Sequence, residues 1–239
     1  MQSTLLETPS SSSIQGMFDR LAPRYDVFNR LTSLGLDNCW RDKALEQIRP
    51  GMRVLDVGCG TGDLSLAAAR QLGASGQVVG LDFSEKMLEL ARARQKRAGL
   101  EASPLCFVWG KAEDLPLSEG SFDLVVSGFV LRNIYENIDR ILLGIKDSLK
   151  DGGRVSLLDF TEPSNPLARW GWRFYMNSVV LLYGKIIFGK NYPMFYMADS
   201  AKRFLKPHEF TDKLRRAGFR DASFRLFLFG VIVLYQGTK

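Results

Sequence analysis

VLDVGCGTGDL, residues 54–64, is the stretch on which the fold turns. A short apolar run leads into Asp56. Gly58, Gly60 and Gly62 follow at alternate positions, and an apolar pattern of helical period starts at Asp63. Glycine lets the backbone approach a ligand with no Cβ in the way, and the first turn of a helix adds unpaired N–H groups. A dinucleotide fingerprint would place its third glycine at position 63, where this chain has Asp63. The loop is therefore G-x-G-x-G between a strand and a helix.

Asp56, already at the strand end, would repel a pyrophosphate. It suits a ligand that brings an ammonium and a sulfonium, which points to S-adenosylmethionine. Asp82 supports the same reading. It closes the next apolar run, VVGLDF, twenty residues after Gly62, where a carboxylate accepts from both hydroxyls of a ribose.

Outward from the loop, strand and helix patterns alternate. Strands are expected at 54–57, 78–83, 105–109, 124–127 and 155–160, with a final pair at 224–229 and 231–235 around Gly230. Helices are expected at 63–72, at 85–98 with Ser84 as N-cap, at 137–149 closed by Asp151-Gly152-Gly153, and at 207–217. Crossover helices imply parallel neighbours. The expected fold is α/β: a doubly wound, mostly parallel seven-stranded sheet with a C-terminal antiparallel hairpin and a helical N-terminal lid. Residues 1–13, serine-rich at their end, read as a flexible leader, 14–49 as the lid, and 50–239 as the α/β domain. That domain carries an apolar helical insertion at about 164–206.

Composition narrows the function. The 239 residues are 46% hydrophobic and 24% charged, ordinary values for a globular chain. A single histidine and three scattered cysteines exclude a histidine-rich metal centre, a zinc ribbon and a disulfide scaffold, so no metal is expected. The net charge of +6 is spread along the chain rather than gathered in an arm, and no nucleic-acid partner is expected. With no export signal or membrane-length apolar run, the expected location is the cytoplasm or the inner face of the membrane.

The loop, the strand-end Asp82 and the alternating pattern resemble the class I S-adenosylmethionine-dependent methyltransferases. Three further segments are similar to the ubiquinone/menaquinone-biosynthesis C-methyltransferases: MFDRLAPRYDVFNRLTSLGLDNCWR (17–41), FVLRNI (129–134) and GVIVLYQGTK (230–239). The likeness is close over about 14–163 and looser over 164–229. It implies methylation of a ring carbon of a demethylated, prenylated hydroquinone, with S-adenosyl-L-methionine as co-substrate. It also implies a cofactor site made by Tyr25, Asp56, Gly58, Gly60, Thr61, Gly62, Asp82, Phe83, Lys111, Ala112, Glu113, Ser127 and Gly128. Lys111 stands where the family usually has Asp or Asn. Lysine has no acceptor, so adenine recognition passes to the backbone of Ala112 and Glu113.

Arg132 and Asn133 are the catalytic candidates. A ring carbon is a poor nucleophile until the quinol ionises, and a guanidinium beside the quinol oxygen stabilises the phenolate. Asn133 would orient that oxygen. Tyr25 would cover the methionine end of the cofactor from the lid. Asp37 stands where the family often has a histidine, so that base is absent here. Asp159, at its strand end, faces the usual ligand edge and is a candidate to activate a water. His208 reads as a surface residue and Cys59 as a small filler.

Residues 167–188 are apolar on nearly every face. They either cover a tail pocket and touch the bilayer surface, or form a packed cap or the seam of a homodimer. Two other functions remain open at this point: a methyltransferase of the same fold with a soluble phenolic or other small substrate, and a non-catalytic cofactor-binding subunit.

Overall fold

The computed structural model describes residues 11–189, 192 and 196–239. β1 (Arg53–Val57) lies inside the sheet, between β2 (Gln77–Asp82) and β4 (Phe122–Gly128), parallel to both. β3 (Leu105–Trp109) extends the sheet beyond β2, and β5 (Leu149–Phe160) runs parallel to β4. β7 (Ile232–Thr238) and β6 (Arg220–Phe227) close the far side as an antiparallel pair, with β7 against β5. The order is β3-β2-β1-β4-β5-β7-β6, the doubly wound mixed sheet that the alternation implied. Strand order reverses between β1 and β4, and the crevice at that point is where such sheets take ligands.

Helices α1 (Ser11–Leu21), α2 (Tyr25–Thr32) and α3 (Asp37–Ala44) precede the sheet. The crossovers are α4 (Asp63–Leu72), α5 (Glu85–Arg97) and α6 (Ile138–Ser148). α5 starts where Ser84 caps it, its hydroxyl accepting from the Met87 N–H at 3.2 Å. After β5 come α7 (Pro166–Tyr175), a π turn at Met176–Val180, α8 (Leu181–Phe188), α9 (Tyr196–Arg203) and α10 (Pro207–Arg216). Asn165 starts α7 by accepting from the N–H groups of Leu167 and Ala168.

Both faces of the sheet are covered. On one, Leu55, Val57, Val125, Val155 and Tyr235 pack under Ile141 and Ile145 of α6 and Phe210 and Leu214 of α10. On the other, Val54, Val78, Leu124 and Leu158 pack under Leu66 and Ala69 of α4, Leu88 of α5 and Trp40 of α3. Truncating any such fully buried leucine to alanine costs about 2–5 kcal/mol. The two-residue period of β1 places Asp56 on the same face as Val54, beneath α4.

Three expectations need correction. The serines at 11–13 belong to α1 rather than to a leader, and residues 1–10 lie outside the described residues. Asp151-Gly152-Gly153 does not separate a helix from a strand. β5 already pairs at Leu149 opposite Phe122 and resumes at Arg154 opposite Leu124, so the extra residues bulge out, with Gly152 at φ +75°. The strand expected at 224–229 stops at Phe227, because Leu228, Phe229 and Gly230 all take positive φ and turn the chain. The apolar stretch is two helices joined by the π turn, and 190, 191 and 193–195 of the insertion lie outside the described residues. Among the described residues, no helix is long and apolar enough to cross a membrane.

Candidate active site

The glycine loop leaves β1 at the switch point. Gly58, Gly60 and Gly62 have φ of +71°, +54° and +86°. A Cβ on Gly58 would come within 2.6 Å of Val130, whereas one on Gly60 would meet nothing within 4 Å. The loop is fastened to β2: the N–H groups of Gly58 and Cys59 donate to the Leu81 carbonyl, and the Gly60 N–H donates to Asp82 Oδ2 at 2.8 Å. Asp82 Oδ1 accepts from the Ser84 N–H at 2.9 Å. Asp56 is 1% exposed. Its Oδ2 accepts from the Ser65 hydroxyl at 2.6 Å, and its Oδ1 has no partner among the described residues. Burial pushes the Asp56 carboxyl up to about 7, helped by the neighbouring Asp82 charge, and pushes Asp82 up to about 6. Two buried carboxylates, one with a bare oxygen, favour a ligand that brings positive charge.

The FVLRN segment turns sharply at the end of β4. Phe129 takes φ +64°, unusual for a bulky residue, and its carbonyl accepts from Arg132 Nη1 at 2.9 Å. The same Nη1 donates to Asp159 Oδ1 at 2.5 Å, and the Arg132 backbone N–H donates to Asp159 Oδ2 at 3.1 Å. The guanidinium lies over the Phe160 ring, 5.0 Å from its centroid. Arg132 Nε is buried with no partner among the described residues. Asp159 is fully buried and is the counter-ion of Arg132. It does not line the cavity, so the expectation that it activates a water fails.

The N-terminal helices cover the loop through an ion network that no local pattern shows. Asp26 on α2 accepts from the Thr61 hydroxyl at 2.5 Å and pairs with Arg94 of α5 at 3.0 Å. Arg94 also reaches Asp63 at 2.5 Å, and Asp63 pairs with the buried Arg41 of α3 at 3.0 Å. Arg41 pairs in turn with Asp37, which also holds Arg30 at 2.8 Å. Burial acts to raise the Asp63 carboxyl, but the Arg41 and Arg94 guanidiniums outweigh it and hold it below its ordinary value. Tyr25 bonds to the Asn29 side chain. Burial raises its phenol above the usual value, against the pull of Arg132.

These parts enclose one cavity of about 990 Å³. It is lined by Tyr25, Asp56, Gly58, Gly60, Thr61, Asp82, Phe83, Lys111, Ala112, Glu113, Gly128, Arg132 and Asn133, so most of the expected site converges there. Gly62 and Ser127 do not line it. Gly62 sits at the start of α4, where a Cβ would stand 3.1 Å from Phe107, and the Ser127 hydroxyl donates to the Val57 carbonyl at 2.7 Å. Both shape the loop from behind. Lys111 is exposed, and its backbone carbonyl accepts from the Asp114 N–H at 3.2 Å. Asn133 Nδ2 lies 3.4 Å from the Phe129 carbonyl. Cys59 is buried, with its thiol pushed well up by burial, as befits a filler, and His208 is exposed at the start of α10. Sequence reasoning missed Arg41, Phe28 and Trp40, which also line the cavity, as does Trp172 from the 167–188 stretch. Their apolar or paired character carried no local sign of a site.

Sheet order, glycine loop and paired strand-end carboxylates define the class I methyltransferase architecture. A solved S-adenosylmethionine-dependent methyltransferase from Aquifex aeolicus superposes with a TM-score of 0.65 at 17% identity, covering 94% of this chain and 97% of its own. The model of the ubiE/COQ5 methyltransferase family matches residues 7–239, and the chain belongs to that family. Its relatives include a demethylmenaquinone methyltransferase of Lactiplantibacillus plantarum, 35% identical over 95% of this chain and 96% of the relative. A ubiquinone/menaquinone biosynthesis C-methyltransferase of Geobacter sp. strain M21 is 36% identical over 95% and 96%. The chain is an S-adenosylmethionine-dependent methyltransferase.

Proposed function

We propose that this enzyme methylates a ring carbon of a demethylated, prenylated hydroquinone. The observation that carries the reading is the cavity, which joins the carboxylate pocket and Arg132 to an apolar wall of Phe28, Trp172, Met176, Val180 and Phe188. Leu167 and Phe229 line the same cavity and are 76% and 87% exposed, so its apolar end meets the surface.

The donor supplies an electrophilic methyl on a sulfonium. The negative charge of Asp56 suits its ammonium, Asp82 fits the ribose hydroxyls, and the backbone of Ala112 and Glu113 fits the adenine edge. Lys111 contributes no acceptor there. Tyr25 and Phe18, ring to ring at 5.9 Å, roof the methionine end. Arg132 offers a planar fork of donors. Its Nη1 is committed to Asp159, and the rest of the guanidinium, which lines the cavity, is left to receive a quinol oxygen as that oxygen ionises. Asn133 helps hold that oxygen in place. The apolar wall excludes water, which strengthens the Arg132 contact and holds the ring carbon in line with the methyl group.

The prenyl tail leaves past Leu167 and Phe229 toward a membrane surface. Trp170 and Phe174 of α7 and Leu182 and Ile186 of α8 stand exposed, as does Lys185 of α8. Aromatic and apolar side chains with a flanking cation are suited to an interfacial position, and the enzyme works at the inner face of the membrane. A comparison of kcat/KM for a prenylated and a tail-less hydroquinone, run with flotation on anionic vesicles, tests this. A strong preference for the prenylated substrate and co-flotation are expected. Equal turnover of both substrates would favour a soluble phenolic substrate. Failure to float, together with a homodimer in solution, would assign the apolar face to a seam.

A further inference from the structure

S-adenosylmethionine carries three charges at its amino-acid end: a sulfonium, an ammonium and a carboxylate. The carboxylates at the ends of β1 and β2 suit the two cations and leave the anion without a partner. An anion moved from water into an apolar-walled cavity needs a cation or several N–H donors. The glycine loop has few donors to give. Its Gly58 and Cys59 N–H groups donate to the Leu81 carbonyl, that of Gly60 donates to Asp82, and that of Gly62 donates to the Cys59 carbonyl.

Three cationic side chains line the cavity among the described residues: Arg41, Lys111 and Arg132. The sheet order β3-β2-β1-β4 separates them. With adenine at the end of β3 and ribose at the end of β2, the methionine end falls over β1 and β4. Lys111 follows β3, at the adenine end. Arg132 is held by Asp159 and the Phe129 carbonyl. Arg41 of α3 spans the crevice between β1 and β4. Its Nη2 pairs at 3.0 Å with Asp63, the residue that follows the glycine loop. Its guanidinium carbon lies 5.5 Å from the ring centroid of Phe129, the residue that follows β4. Arg41 also draws the Asp56 carboxyl down against burial, so its charge is felt at that carboxylate. An amino acid carries its ammonium and carboxylate on one carbon. The cation that receives the carboxylate therefore stands near Asp56, as Arg41 does.

Arg41 has charge and donors to spare. Its counter-ions are Asp37 and Asp63, and each is shared with a second guanidinium, Asp37 with Arg30 and Asp63 with Arg94. Neither carboxylate neutralises Arg41 alone. A guanidinium carries five N–H donors, more than these two pairs engage, and 8% of the Arg41 side chain stays accessible. We infer that Arg41 is a cofactor-binding residue whose guanidinium receives the carboxylate of S-adenosylmethionine. The cavity then reads both charges of the amino acid, the ammonium with Asp56 and the carboxylate with Arg41. This rests on the placing of the ammonium proposed above and is independent of the hydroquinone. Since Asp63 joins Arg41 to the start of α4, the bound carboxylate also enters the ion network that fastens the N-terminal helices over the loop.

The test measures Kd by calorimetry at pH 7 for two ligands, S-adenosylmethionine and its decarboxylated analogue, which keeps the sulfonium and the ammonium. Native protein should bind S-adenosylmethionine about ten- to a hundredfold more tightly than the analogue, the effect of a charge-assisted contact. Equal affinities would overturn the assignment. Arg41→Gln should bind the two ligands within about threefold of each other, because the partner of the carboxylate is gone. A purely structural arginine would weaken both ligands alike and leave the native ratio standing, and that result overturns the assignment. Arg41→Lys keeps a cation but loses the fork, and its ratio should fall between those of the native chain and Arg41→Gln. Where Arg41→Gln does not fold, Arg41→Lys decides: a ratio reduced about threefold or more supports the assignment, and the native ratio overturns it. Asp56→Asn separates the two readings, since both ligands carry the ammonium. It should weaken both and preserve their ratio. If it weakens neither, the placing of the ammonium falls and takes this inference with it. If it weakens both while Arg41→Gln keeps the native ratio, only the role of Arg41 falls.

Discussion

Asp56→Asn removes a charge from the cofactor pocket while keeping the shape of the side chain, and its consequence depends on pH. Burial pushes the Asp56 carboxyl from its ordinary 3.8 to about 7. A rise of that size disfavours the anion by about 4 kcal/mol. Because the folded value lies above the unfolded one, the ligand-free fold holds an extra proton. The stability this contributes is full below about pH 4 and is lost as pH climbs to about 7. A ligand that presents an ammonium to Asp56 needs the anion. At pH 5 about one chain in a hundred carries it, and at pH 7 about half do, so affinity should rise about fifty-fold between them. Asp82, pushed to about 6, steepens the lower part of the rise. The assay is calorimetric titration with S-adenosylmethionine at pH 5, 6 and 7 and fixed ionic strength, a range in which the ligand's own ammonium stays protonated. Native protein should tighten through the series. Asp56→Asn should bind weakly throughout and lose the part of the slope above pH 6. A native Kd that changes less than about threefold from pH 5 to pH 7 would refute the reasoning.

Arg132 and Asp159 should separate cleanly. Arg132→Lys keeps the charge but not the fork and should lose about a hundredfold or more in kcat while S-adenosylmethionine still binds; unchanged kcat removes Arg132 from the chemistry. Asp159→Asn strands a buried guanidinium and should cost about 3–5 kcal/mol in urea denaturation as well as activity. Arg94→Ala removes the link from α5 to Asp26, Thr61 and Asp63. It should speed hydrogen exchange in α2 by an amount equivalent to about 1–3 kcal/mol, and unchanged exchange would mean that the network does not hold the N-terminal helices down.

The sheet was legible because its signals are local. Strand periods, the Ser84 cap and the alternating glycines each sit within a few residues of what they specify. Asp56 and Asp82 were legible for the same reason: each stands at a strand end beside the loop. The bulge after Leu149 was hidden because Asp151-Gly152-Gly153 reads equally as a turn, and only the partner strand shows that pairing begins before it. The ion network and the Arg132–Asp159 pair were hidden because their members come from separate segments: Thr61 and Asp26 are 35 residues apart and Arg132 and Asp159 are 27. Asp159 shows the cost of reading position alone. A carboxylate at the ligand edge of the sheet suggested solution chemistry, whereas the Phe129 turn brings Arg132 onto it and seals it from the cavity.

The central claim is methyl transfer to ring carbon, and the most direct measurement is incubation with isotopically labelled S-adenosylmethionine and reduced demethylmenaquinone in detergent, with a demethylated benzoquinol in parallel. Mass spectrometry then locates the label. The account predicts label on a ring carbon of at least one of the two. Label on oxygen, or on neither compound while S-adenosylmethionine binding is confirmed, would contradict it.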